Sequence, residues 1–200
     1  HPSQPTSGVG YEPDASAAIF VGDWTDKVSI NGTTAFVSMG TPVITPAHVD
    51  ITIGPYRIGY LVASPWNAAT AIPSPEAIRA RATRYLNTPY IWGGRSVFGI
   101  DCSGFVQMVY RFFNITLQRD AWMQAKQGES IGFLQEARCG DLAFFDDEEG
   151  MITHVGILLS DQEIIHASGK VRIDKIDNAG IVNTDTQQRT HKLRIIKRYF

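Results

Sequence analysis

Cysteine is scarce in this sequence: 200 residues contain two, Cys102 and Cys139, too few for a disulfide framework that could stand in for a core. A single bridge is arithmetically open, but their neighbourhoods point to different jobs, and the pair fixes no redox compartment. An excess of basic charge is also missing. The 18 Lys and Arg stand against 20 Asp and Glu, a formal charge of −2, a balance that argues against a nucleic-acid binder, which needs a basic face to displace counterions from phosphates. No apolar run approaches the roughly 18 residues of a membrane span; the longest in the first third covers residues 17–21. With 44% hydrophobic and 19% charged residues, the chain can bury an ordinary core in one or two folding units. It opens on His1 rather than methionine, and removal of an upstream segment such as a signal peptide is one reading of that.

Two textures are present. Residues 1–13 and a little beyond are rich in Pro, Ser and Gly and read as an extended arm. From Ala17 to Val62 short β-type runs alternate with turn residues. Residues 28–30 and 33–37 flank Asn31-Gly32, the dipeptide that tolerates positive φ at both turn positions, so a hairpin is expected. Residues 51–53 and 57–62 predict a second, looser pair. About 50 residues of short strands make a small barrel with a thin core, which must lean on the next domain. Residues 64–75 read as a linker, ending in a helix start at Ser74-Pro75-Glu76: a side-chain oxygen for the cap, proline at the first position and an acid in the first turn. Its apolar stripe, Ile78, Ala82, Tyr85 and Leu86, runs to Pro89. The domain boundary is placed near 72, giving units 1–72 and 73–200. A second helix carries Phe105, Val109 and Phe112 and stops at Asn114. Residues 142–145, 152–159, 163–167, 171–176 and 193–196 then read as strands of one antiparallel sheet. Helices first and strands later define the class α+β.

Three side chains carry the chemistry. Cys102 falls in the first turn of the second helix, directly after Asp101; unpaired amides and the positive dipole end there favour a thiolate and can hold an oxyanion. Such a nucleophile needs a base, and the base an orienting group. His154 and His166 lie on strands joined at Ser160-Asp161-Gln162. With a three-residue loop His166 stands opposite Gly156 and His154 becomes its diagonal neighbour on the same face; a two-residue turn would separate them. Simpler readings stay open: a core cysteine, satisfied strand histidines, or three ligands of a zinc site, for which no fourth Cys or His stands at ligand spacing.

Tyr90-Ile91-Trp92-Gly93-Gly94, Asp101-Cys102-Ser103-Gly104-Phe105-Val106, Gly140-Asp141-Leu142-Ala143-Phe144-Phe145, His154-Val155-Gly156-Ile157 and His166-Ala167-Ser168-Gly169 occur in that order. Over about residues 75–200 this set resembles the NlpC/P60 family of papain-like cysteine peptidases. The resemblance implies Cys102 as nucleophile, His154 as general base and acid, His166 as the residue orienting it, and helices packed on an antiparallel sheet. The preceding β segment is similar to the bacterial SH3-type barrel often joined to that domain. The combination resembles γ-D-glutamyl-L-diamino acid endopeptidases, which act on murein peptides with a free N-terminal L-Ala. By that resemblance Tyr90, Asp101, Ser103 and Asp120 line the pocket for the ammonium, with Ala121 where the family more often has Ser. Glu12, Tyr56, Tyr60 and Trp66 are further candidates by residue type.

Simpler roles stand beside these: an N-cap for Asp101 and for Asp120, packing for Tyr90. Cys139 is expected to be structural, His48 and His191 to be surface residues outside every motif, Trp24 and Trp66 to pack rather than form a carbohydrate-stacking stripe, and residues 146–149 to be a solvated hairpin tip. The resulting expectation is a murein peptide hydrolase cutting the γ-D-Glu–diamino acid amide, monomeric, with no metal or organic cofactor and no membrane span. Its competitors are a non-catalytic murein-binding protein and an amidase or acyltransferase on the same fold. An exported, cell-envelope setting is favoured, and a cytoplasmic recycling role is compatible.

Overall fold

The computed structural model describes residues 19–44, 49–61 and 63–200; the expected N-terminal arm, Glu12 and His48 lie outside them. Six short strands come first: β1 (Ile19–Val21), β2 (Thr25–Ile30), β3 (Thr33–Ser38), β4 (Asp50–Ile53), β5 (Tyr56–Tyr60) and β6 (Pro65–Asn67). They form a four-stranded sheet in the order β3-β2-β5-β4 and a two-stranded ribbon β1-β6. Asn31 and Gly32 turn the β2–β3 hairpin with φ of 50° and 81°, the left-handed pair that suits the twist of the strands. Proline content suggested that residues 64–75 were only a linker, but β6 pairs residue for residue with β1. An edge ribbon tolerates Pro65 because its ladder needs no donor there.

This small β unit has its own core of Val21, Val43 and Tyr60, and it does lean on the rest. Phe20, Met39 and Ala68 belong to the main hydrophobic core. Arg81, buried at the junction, donates to Gly22 O at 2.9 Å and lies 4.1 Å and 4.2 Å from the ring centroids of Trp66 and Phe112. Trp66 donates its indole N–H to Phe112 O at 2.7 Å. Trp66 is therefore packed between the two parts, Trp24 is half-exposed, and Tyr60 is buried in the core of the β unit.

Helix α1 (Pro75–Thr83) starts as expected, with Ser74 Oγ accepting from Ala77 N–H at 3.2 Å. It ends well before Pro89, because Tyr85 and Leu86 close three-residue turns and Asn87 takes φ of 66°. The short β7 (Arg95–Ser96) and β8 (Gly99–Ile100) lead into α2 (Cys102–Arg111), which stops before Asn114 at φ 57°. After α3 (Ala121–Gln124) and β9 (Glu129–Ile131) come β10 (Leu142–Asp146), β11 (Ile152–Leu158), β12 (Glu163–Ser168), β13 (Lys170–Asp177), β14 (Gly180–Val182) and β15 (Arg189–Arg198). The chain is strand-rich with few helices. Successive pairings from β10 to β15 are antiparallel, as expected, and β10 also pairs with β15, so the sheet closes into a ring. Strand alternation divides its residues. Ala143, Phe145, Leu158, Ile164, Ile176 and Ile181 fill one side. Val155, Ile157, Ile165 and Ala167 on the other side share a core with Phe105 and Val109 of α2 and with Phe112 just after it.

Candidate active site

Asp101 organises the start of α2. Its Oδ1 accepts from Gly104 N–H at 2.6 Å and its Oδ2 from Gly93 N–H at 2.8 Å. Arg119 donates to both oxygens, and Ser103 Oγ donates to Oδ1 at 3.3 Å. Burial pushes this carboxyl upward, but the hydrogen bonds from Arg119, Gly104 and Gly93 outweigh it and hold the group below its ordinary 3.8. Asp101 is thus the helix cap, with its charge already paired. Ser103 belongs to the same cluster, its Oγ accepting from Arg119 at 2.8 Å. Asp120 is the opposite case: it precedes α3 yet makes no cap hydrogen bond and is exposed. The capping role therefore holds for Asp101 and not for Asp120. Tyr90 is half-buried, its phenol raised by burial and by Cys102 and Asp101 nearby.

The Cys102 thiol sits 4.0 Å from Thr153 O, and the backbone N–H groups of Val155 and Ser103 favour its ionised form. The β11–β12 ladder ends at the Gly156–His166 pair, and the sulfur lies where it has stopped. The helix-start amides were expected to lower the thiol pKa. Burial, with the Asp101 carboxylate, wins over them and raises it above 9.0. Burial thus disfavours the thiolate, and the hydrogen-bond contact of the thiol among the described residues is Thr153 O, the carbonyl just before His154.

The three-residue loop sets the expected register, with Gly156 opposite His166, and the two imidazoles meet: His154 Nε2 and His166 Nδ1 are 2.8 Å apart. A Cβ at residue 156 would lie 2.8 Å from His166 Cβ, so only glycine leaves room for that ring. Sequence reasoning missed the next link. His166 Nε2 lies 3.0 Å from Asp174 Oδ2, and Asp174 also accepts from Arg172 at 2.8 and 2.9 Å and from Thr184 N–H at 2.8 Å. Burial raises this carboxyl, yet His166, Arg172 and Thr184 together hold it well below the usual carboxylate range. An ionised Asp174 accepts a proton-bearing His166 Nε2, so His166 Nδ1 is the acceptor of an N–H on His154 Nε2. That leaves the lone pair of neutral His154 on Nδ1.

His191 was expected at the surface. It is half-buried and stacks on His154 with centroids 4.1 Å apart and planes 25° apart. No motif flagged it, because β15 alternation had no partner to be read against. Stacked rings aim their lone pairs edgewise and in parallel, not at a common point, so the three histidines do not make a metal cage, and no group of metal-binding side chains occurs among the described residues. Cys102 and Cys139 are both free, and Cys139 donates to Pro75 O at 3.2 Å.

These groups make stability acid-sensitive. Burial first, then His166 and His191, hold His154 well below 6.5, and burial with His166 lowers His191 to about 4. A base depressed in the folded state contributes stability above its unfolded value and loses it as pH falls. The melting temperature should therefore be flat from about pH 8 to 6.5 and decline steadily to about pH 4. It should fall more steeply below 3.8, where protons begin to compete for Asp101 and Asp174. Calorimetry across this range checks the curve; a plateau reaching pH 4 would contradict it.

The model of the NlpC/P60 family matches residues 87–190 of this sequence. The chain belongs to the NlpC/P60 family. It is 35% identical over 118 residues to a gamma-D-glutamyl-L-lysine dipeptidyl-peptidase of Bacillus cereus, covering 56% of this chain and 35% of that protein. A protein of the same name from Bacillus subtilis is 41% identical over 85 residues, covering 42% and 28%. The chain thus spans about a third of the length of these relatives. The crystal structure of an NlpC/P60 family protein from Bacillus cereus shares the fold, with a TM-score of 0.72 at 24% identity over 90% of this chain and 62% of that one. The NlpC/P60 match includes Cys102, His154, His166 and Asp174 and stops one residue before His191. Among the described residues no helix is long and apolar enough to cross a membrane.

Proposed function

We propose that this chain is a cysteine peptidase of peptidoglycan stem peptides that hydrolyses the γ-D-Glu–diamino acid amide of fragments with a free N-terminal L-Ala. The observation that carries the reading is the polar chain from Asp174 through His166 to His154, ending beside a thiol at the start of a helix. The names of the Bacillus relatives agree with it.

In this mechanism burial disfavours the charged forms of both thiol and imidazole, and attack is assisted by general base catalysis. His154 Nδ1 takes the thiol proton as sulfur bonds to the carbonyl carbon, and backbone N–H groups at the start of α2 hold the oxyanion. The imidazolium gives that proton to the leaving amine as the C–N bond breaks, leaving a thioester. Water, deprotonated by His154, then releases the acid and restores the thiol. His166 and Asp174 keep the tautomer that makes each transfer possible.

The substrate ammonium meets Asp120, whose carboxylate is not committed to a cap, and the Tyr90 hydroxyl. Asp101 and Ser103, already tied to Arg119, shape the wall. The N-terminal strands serve as an SH3-type module, with the division near residue 72, and the helices pack on the sheet in the papain-like manner. The decisive experiment is mass spectrometry of products from L-Ala-γ-D-Glu-meso-diaminopimelate and its lysine counterpart, with and without N-acetylation. Cleavage at the γ-D-Glu bond is expected for at least one free peptide. Acetylation should slow it about tenfold, since the exposed Asp120 carboxylate and the Tyr90 hydroxyl lose their charged partner. Equal rates for free and acetylated peptide would exclude the ammonium pocket.

A further inference from the structure

Among the described residues, His191 is the one titratable group in contact with the imidazole pair that this mechanism leaves without a task. Its ring covers one face of His154, meets His166 edge-on at 5.8 Å between centroids, and packs on Phe145 at 5.9 Å. Its Nδ1 is 2.8 Å from Thr190 Oγ1, which fixes the ring from its own strand. We propose that His191 is a positioning residue for His154: its ring sets the plane of that imidazole and keeps water off the face it covers. The inference rests on the reading of Cys102 and His154 given above.

Several elements pack around the two rings. β11 brings His154, β12 His166 and β13 Asp174, α2 places Cys102 beside the same stretch of β11, β10 supplies the apolar Phe145, and the residue of β14 opposite His191 is Ile181. His166 lowers the basicity of both stacked rings, and Asp174 opposes this at His191. Among the described residues no carboxylate touches His154 directly, so exclusion of water has the larger say in how basic that ring is. His154 also has only one hydrogen-bonded nitrogen, Nε2. A single bond lets an imidazole swing about that contact, and a stacked ring removes the freedom.

The test compares His191→Ala with His191→Phe in the full chain. His191→Ala should lower kcat about tenfold near neutral pH with KM within about twofold, and should move the acid limb of kcat/KM to higher pH, because a wetter His154 is protonated sooner. His191→Phe keeps a flat ring and should restore kcat to within about threefold, with the acid limb back in place. The pH dependence of Cys102 alkylation by iodoacetamide should move in the same way, without any substrate. Should the alanine variant not fold, His191→Asn, planar but too small to cover the ring, replaces it. Wild-type kinetics with an unmoved acid limb in the alanine or asparagine variant would overturn the proposal, as would a folded phenylalanine variant no better than alanine. Activity surviving in Cys102→Ala would instead sink the peptidase reading; an inactive Cys102→Ala beside an unaffected His191→Ala would sink this inference alone.

Discussion

Cys102→Ala is expected to give a folded protein with no measurable peptide cleavage, a loss of at least about ten-thousandfold in kcat with binding retained. The thiol is one small buried group held against backbone, so its removal costs roughly 1 kcal/mol or less of stability. Asp101, Gly104 and Arg119 keep the helix start in place without it. What disappears is the sulfur that the proposed mechanism uses to form the acyl intermediate. Chromatography of the tripeptide digest, with a thermal melt as control, gives the answer. Cleavage above about one per cent of wild type would mean that another group attacks.

Asp174→Asn should be nearly as damaging to rate, through misplaced protons rather than loss of a reacting atom. The carboxylate accepts from four N–H groups: His166 Nε2 and Arg172 Nε on Oδ2, Arg172 Nη2 and Thr184 N on Oδ1. An asparagine must turn its NH2 toward one of these pairs. Facing Arg172 Nη2 and Thr184, it opposes two fixed donors. Facing His166 and Arg172 Nε, it opposes one, because the imidazole can exchange its tautomer. The second orientation is favoured. His166 then donates from Nδ1 to His154 Nε2, the proton of His154 moves to Nδ1, and the base can no longer accept from sulfur. A fall of about a hundred- to ten-thousandfold in kcat with little change in KM is expected, as for other triads locked in the wrong tautomer. Destabilisation of about 3 kcal/mol should accompany it, since Arg172 loses a buried ionic partner, though Asp185 at 2.9 Å retains part of its pairing. A loss below tenfold, measured on folded protein, would remove Asp174 from the catalytic chain.

Joining His154 to His166 needed only a loop length, because a strand ladder converts spacing into geometry. The same regularity extends one hairpin further. Ser168 pairs with Lys170 and His166 with Arg172, which makes Asp174 the diagonal neighbour of His166 on its own face. The residue was legible and passed over. His191 was not legible in the same way: β14 and β15 are joined through residues 183–188 with a register shift at Ile181/Val182, and such irregularity defeats counting along a strand. The helix starts were read correctly from their caps, whereas the end of α1 was misplaced because no proline or glycine marks the turns at Tyr85 and Leu86. The pairing of Arg119 with Asp101 depends on the path of the chain between α2 and α3, where no periodicity holds.

For the proposed reaction, the closure of β10 onto β15 bears on how substrate would gain entry. A hoop of six hydrogen-bonded strands has no seam along which it can part, so the spacing of the imidazoles is set by a frame that cannot breathe open on one side. In the proposed reaction the segment that admits peptide is then expected on the other side, in the turns around Tyr90 and Gly93 that lead to Cys102. There Gly93 holds φ of 81° and Ile91 and Trp92 face solvent.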